Sequence, residues 1–115
     1  MQYLLMIYGD EAAELAASEA DNAALMAAYG AYAAAMAEAG VMIGGERLHP
    51  TSMATTVRLR GGKTEVLNGP NADTREQLGG YFLIEAPDLD AALMWAARCP
   101  SAAHGTIEVR PVWAM

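Results

Sequence analysis

The residues able to carry acid–base or ligand-fixing chemistry are few, and they stand at glycine and proline breaks in the chain. Glu46 follows Gly44-Gly45, where backbone can approach a ligand closely and a carboxylate can be aimed inward. His104 precedes Gly105, and an imidazole titrates near neutral pH, as a proton shuttle must. A third group follows the break Asn68-Gly69-Pro70 and comprises Asp73, Arg75 and Glu76. Tyr8 ends one apolar run and Tyr81 begins another, so their rings could wall a cleft between the breaks. The pattern predicts Glu46 and His104 as proton carriers, with Tyr8, Asp73, Arg75, Glu76 and Tyr81 binding the ligand. Glu46, Arg75 and Tyr81 are expected to face a common cavity with His104 at its rim. There Arg75 would hold an anionic or phenolic group by charge-assisted hydrogen bonds. Each residue also has a structural reading. Glu46 could be a solvated acid or a partner for Arg47, Asp73 and Glu76 have the three-residue spacing of a helix cap, and a lone loop histidine is commonly exposed.

Other chemistries lack their residues. Two histidines and one cysteine are too few for an ordinary zinc site. The chain has no glycine-rich phosphate loop ending in Lys-Ser/Thr and no nucleophile elbow. Neither metal nor cofactor is therefore expected. A net charge of −7 with seven scattered basic residues argues against nucleic acid and anionic membrane as partners. Cys99 has no partner for an intrachain disulfide, which suits a reducing compartment. No basic, apolar leader opens the chain and no apolar run approaches about 20 residues, so a cytoplasmic protein is expected.

The elements that must position these residues read clearly. The chain has 115 residues, 54% of them hydrophobic, which predicts one domain over 1–115 with more apolar surface than a small core can hide. Residues 2–8 and 81–86 are apolar at nearly every position, the mark of central strands covered on both faces. From Ser18 to Ala39 the spacing is helical, with Leu25, Tyr29, Tyr32 and Met36 on one face, Ser18 as cap and Gly40 closing the end. Gly30 inside this helix is expected to mark a close backbone approach. Thr55 to Arg60 alternates, Gly61-Gly62 signals a two-residue turn, and Lys63 to Leu67 returns. That register sets Val57 opposite Val66 and Arg58 opposite Glu65, an apolar pair on one face and an ion pair on the other. A second helix begins at Asp88, with Leu89, Ala92, Leu93 and Ala96 inward, Trp95 at the margin and Pro100 as its stop. Thr106 to Val112 is a last strand, placed at an edge by Pro111.

Strand, helix, hairpin, strand, helix, strand predicts an α+β fold, a ferredoxin-like sandwich with an extra hairpin strand. Two helices pack on one face of an antiparallel or mixed sheet. The apolar strands need cover on the other face, and a second copy of the sheet supplies it in a two-fold homodimer.

Several stretches together resemble the YCII-related proteins, in the branch named for an Asp-Gly-Pro-Phe (DGPF) motif. They are Tyr-Leu-Leu-Met-Ile-Tyr-Gly-Asp at 3–10, Gly-Gly-Glu at 44–46, Thr-Thr-Val-Arg at 55–58 and Asn-Gly-Pro at 68–70, then Arg-Glu-Gln-Leu-Gly-Gly-Tyr-Phe-Leu-Ile at 75–84 and Glu-Val-Arg-Pro-Val at 108–112. The resemblance implies a dimeric α+β barrel. It also implies a possible transcription-related protein partner, since members of this branch often accompany alternative sigma factors. Asn68 and Asn71 replace the motif's Asp and Phe, and the first helix has no histidine for the His–Asp pair of other relatives. Two roles follow: a non-catalytic domain that binds a small ligand or docks a partner, or a cofactor-free enzyme acting on a small molecule, aromatic ones included, by acid–base chemistry. The altered motif and missing pair favour the first.

Overall fold

The computed structural model of the protein describes residues 1–114. Strand β1 (Gln2–Gly9) is followed by two helices, α1 (Glu11–Leu15) and α2 (Glu19–Glu38), and then by β2 (Met42–Arg47). The hairpin β3 (Thr55–Arg60) and β4 (Lys63–Asn68) precedes β5 (Gln77–Glu85), α3 (Leu89–Arg98) and β6 (Thr106–Pro111). The main sheet has the order β2-β5-β1-β6 and every pairing in it is antiparallel, not mixed. With the hairpin set aside, this is the ferredoxin-like α+β order. The two continuously apolar strands, β1 and β5, are the central ones, and β6 with Pro111 is an edge, as the sequence predicts.

The helix ends follow their caps. The Ser18 hydroxyl accepts from the Asp21 amide at 3.1 Å, and Gly40 takes a positive φ of 72° beyond the C-cap, a conformation that strains any residue with a Cβ. At the start of α3 the Asp88 carboxylate accepts from the Ala91 amide at 2.9 Å. The core lies between helices and sheet: Tyr3, Leu5 and Ile84 from the strands meet Tyr32 and Met36 of α2 and Ala92, Trp95, Ala96 and Cys99 from α3 and its end. Tyr32 donates to the Trp95 carbonyl at 2.7 Å, tying the helices together. Trp95 is buried, with the Arg98 guanidinium 4.4 Å over its ring. Leu89 and Leu93 face outward instead, because the inner stripe of this short helix runs through Ala92, Trp95, Ala96 and Cys99.

Three further expectations are corrected. A third helix, α1, forms behind Asp10, whose carboxylate accepts from the Ala13 amide at 3.2 Å. The hairpin joins no other strand and forms a two-stranded sheet of its own. It hangs from the 48–54 loop, which Glu11 clips to α1 through the Thr51 amide and hydroxyl. Its register is nevertheless the predicted one, Val57 to Val66 and Arg58 to Glu65. Gly61 and Gly62 both have positive φ, 56° and 77°, the turn geometry that matches strand twist. Arg58 and Glu65 form no ion pair within 4.0 Å, so only the pairing survives. Within the subunit the main sheet is open. Among the described residues no helix is long and apolar enough to cross a membrane.

The subunit is thin, 47 × 43 × 19 Å, with a radius of gyration of 16.0 Å against roughly 13 Å for a compact chain of this length. Its accessible surface of 7867 Å² compares with roughly 6,000 Å² for a folded monomer of this mass.

Candidate functional site

Side chains alternate along a strand, and the contacts of α2 show which set faces it. Tyr32 meets Phe82 edge-on, with ring centroids 5.5 Å apart at 81°, and Tyr29 lies nearly parallel to Phe82 at 6.4 Å and 21°. Phe82 therefore points toward the helix, and with it Gly80, Ile7 and Gly45 through the register Ile7 to Gly80 and Gly45 to Phe82. Between this part of the sheet and the N-terminal half of α2 lies a cavity of about 370 Å³. Its apolar wall is Ile7, Leu25, Met26, Tyr29 and Phe82.

The space exists because side chains are missing. Gly30 stands over the cavity with nothing within 4 Å of where a Cβ would be. The expected close backbone approach is absent, and this glycine leaves open a volume that any larger residue would fill. Gly80 has the opposite reason: a Cβ there would come within 2.8 Å of the Glu46 carbonyl oxygen, so only glycine lets β2 and β5 pair at that point.

Three polar groups meet this apolar space. The Tyr29 hydroxyl donates to Ser101 Oγ at 2.5 Å and lies 3.5 Å from Cys99 Sγ. Burial, reinforced by the Cys99 contact, raises the Tyr29 pKa well above its ordinary value despite the opposing Ser101 hydrogen bonds, so the phenol stays protonated. Ser101 is only 5% exposed. On the β2 side Arg47 shares the helix-facing set with Gly45, and its guanidinium donates to the Met26 sulfur of α2 at 3.6 Å. A thioether is a weak acceptor, and among the described residues no carboxylate lies within 4.0 Å of Arg47. Glu14 completes the rim.

The residues singled out from the sequence are placed as follows. Glu46 pairs with Tyr81 across β2 and β5. Both residues border the cavity, while strand alternation turns their side chains toward the sheet face away from α2. Tyr8 pairs with Thr106 and lies on that same far face. Arg75 and Asp73 are exposed in the 69–76 link, and Arg75 does not line the cavity. That link contains no helical turn, so Asp73 and Glu76 cap nothing; the Glu76 carboxylate instead accepts from the Thr106 hydroxyl at 2.7 Å. His104 is exposed over a second depression between α1 and the start of α2, beside Asp10 and Asp21, which adjoins the cavity at Glu14 and Leu25. The fold thus brings Glu46 to Tyr81 and brings neither Arg75 nor His104 to them. Sequence reasoning passed over Tyr29, Arg47 and Ser101. The first carried a usable signal, a tyrosine one residue before an unexplained helix glycine; Ser101 carried none.

These features, an antiparallel ferredoxin-like sheet with a glycine-lined cavity under the first long helix, can be set beside known proteins. The model of the YCII-related domain matches residues 1–115. An uncharacterised protein of Rhizobium meliloti (strain 1021) is 38% identical over 114 residues, covering 97% of this chain and 92% of that protein. On both grounds the chain belongs to the YCII-related family.

Proposed function

We propose that the protein is a non-catalytic binding subunit that takes a small, largely apolar molecule into the cavity between α2 and the sheet. The observation that carries this is the cavity itself: about 370 Å³, held open at Gly30 in a helix otherwise rich in alanine. Small-molecule sites span roughly 300–1,000 Å³ and combine apolar walls with a few polar groups, the composition found here. Near-parallel Tyr29 and Phe82 rings favour an aromatic body. Glu46 lines the cavity and His104 the adjoining depression, and no hydrogen bond joins them, which favours binding over acid–base turnover by that pair. Calorimetric titration with 3-phenylpropanoate tests the reading. Saturable binding at one site per subunit, lost in Gly30→Leu while the melting temperature does not fall, supports it. Binding that survives a filled cavity contradicts it.

The second element of the reading is a homodimer. The sheet face away from α2 presents Leu4, Met6, Tyr8, Tyr81 and Leu83, all half-buried, and no helix of the described residues packs over it. The subunit exposes roughly 1,800 Å² more than a compact monomer, and a standard interface takes about 800 Å² from each partner. Sedimentation equilibrium at micromolar concentration should return twice the 12.1 kDa chain mass; a stable folded monomer contradicts it. Within the family we place the chain in the branch named for Asp-Gly-Pro-Phe, with Asn68-Gly69-Pro70-Asn71 at that position, and in the cytoplasm.

A further inference from the structure

The polar end of the cavity contains a small accounting of hydrogens. Three groups meet there, the Cys99 thiol, the Tyr29 phenol and the Ser101 hydroxyl, each with one hydrogen to donate. Tyr29 gives its hydrogen to Ser101 Oγ at 2.5 Å. Its oxygen must then be the acceptor at the 3.5 Å contact with Cys99 Sγ, so the thiol donates. The chain runs from Cys99 to Tyr29 to Ser101 in one direction. The Ser101 hydrogen is left over, with no acceptor among the described residues, on a side chain that is 5% exposed and lines the cavity. Donors in such a chain polarise one another and strengthen the last one. Leaving that donor unmatched inside an apolar pocket is costly.

The opposite end is Arg47, a cation whose partner among the described residues is the Met26 sulfur. It belongs to β2, whereas Ser101 sits in the 3₁₀ turn Pro100–Ala103, which adjoins β1 and β6. In the order β2-β5-β1 those ends are at least two strand spacings apart, roughly 10 Å. Between them lie the apolar wall and the Tyr29 and Phe82 rings.

We infer that the ligand of this cavity is a small aromatic acid, whose anionic group meets Arg47 and whose far end carries a hydrogen-bond acceptor, such as a carbonyl oxygen, received by the Ser101 hydroxyl. This rests on the binding role proposed above and adds the ligand's chemistry and direction. Ser101 is the specificity-determining residue and Tyr29 its positioning partner.

The test uses matched aromatic acids on the unmodified protein: 4-acetylbenzoate, 4-acetylphenylacetate and 3-(4-acetylphenyl)propanoate, each beside its 4-isopropyl counterpart, which has similar bulk and no acceptor. At one arm length the acetyl acid should bind about five- to tenfold tighter, the worth of one hydrogen bond. Ser101→Ala should erase that preference while keeping the affinity for the isopropyl acid, and Tyr29→Phe should reduce it. Arg47→Gln should weaken both members of a pair alike, by about tenfold or more. Equal binding of each pair at every arm length, or a preference that survives Ser101→Ala, overturns the inference. If equal binding is abolished by Gly30→Leu, the cavity still binds and only the ligand assignment fails. Binding that persists in Gly30→Leu, or no binding of any acid, overturns the binding role with it.

Discussion

The two central strands, β1 and β5, are apolar on both faces, and the fold treats the two faces differently. On the α2 face Tyr3, Leu5 and Ile84 are almost wholly buried, and the gap that remains is bounded by glycines and ends in paired polar groups. On the other face Leu4, Met6, Tyr81 and Leu83 are only half-buried. Beyond it the free hairpin shows Val57, Leu59 and Val66 at 62%, 66% and 61% exposure. A lone two-stranded hairpin is at best marginally stable in water, and three exposed branched or aliphatic side chains on one of its faces add to its apolar surface. The difference teaches that apolar surface left over in this fold has two meanings. On the reading proposed above, the part between α2 and the sheet takes a small molecule, and the part spread over the open face takes another chain.

The strongest way to break this contrast is a pair of substitutions one on each face. Leu5→Ala, under α2, should cost about 2–5 kcal/mol through lost burial and the cavity left behind, read as a shift in the urea midpoint. Leu83→Asp, on the open face, should leave far-UV circular dichroism unchanged and halve the mass seen by sedimentation. Unfolding by Leu83→Asp with retention of the dimer in Leu5→Ala would reverse the roles of the faces.

Raising the pH sharpens the account of the enclosed face. Burial raises the pKa of both Tyr29 and Tyr32 above their ordinary value of 10.0. Folding therefore holds protons that the unfolded chain releases, and stability should be intact below about pH 10 and decline as pH rises beyond it. Stability measured by urea denaturation at pH 9 and pH 11 should show this loss, and it should shrink when both residues are phenylalanine. A flat profile through that range would mean that the two phenols are not enclosed as described.

Smaller effects follow at single surface sites. Gly30→Ala should stabilise by up to about 1 kcal/mol, since alanine is the better helix former and its methyl meets nothing within 4 Å; a loss would mean that the helix packs more closely there. Arg58→Ala should change stability by less than about 0.5 kcal/mol, because the cross-strand pair with Glu65 forms no ion pair. A larger change would give the hairpin charges a role in an interface.

Much of the architecture was legible because its signals are local. Two residues with positive φ at Gly61-Gly62 dictate a hairpin register, a serine and a glycine delimit α2, and uninterrupted apolar runs mark the central strands. Whether the hairpin joined the main sheet was not legible, because that depends on the Glu11–Thr51 clip, a contact across 40 positions. The site was less legible for the same reason. Arg47 and Glu46 are neighbours, and only the pairing of β2 with β5, which slips between Met42 and Gly44, decides which of them faces the helix. Tyr29 and Ser101 meet across 72 positions, and nothing in either stretch announces the other. The cap spacing of Asp73 and Glu76 and the glycine beside His104 were local patterns without a matching tertiary contact.

Amide chemical-shift mapping with 4-acetylphenylacetate tests the division of the two faces most directly. The account predicts that the shifts concentrate at Gly30, Gly45, Arg47, Phe82 and Ser101, with the amides of Val57, Leu59 and Val66 unmoved. Shifts centred on the hairpin and on the outward-facing residues Leu4 and Met6, with Gly30 and Ser101 silent, would place the ligand on the open face and contradict it.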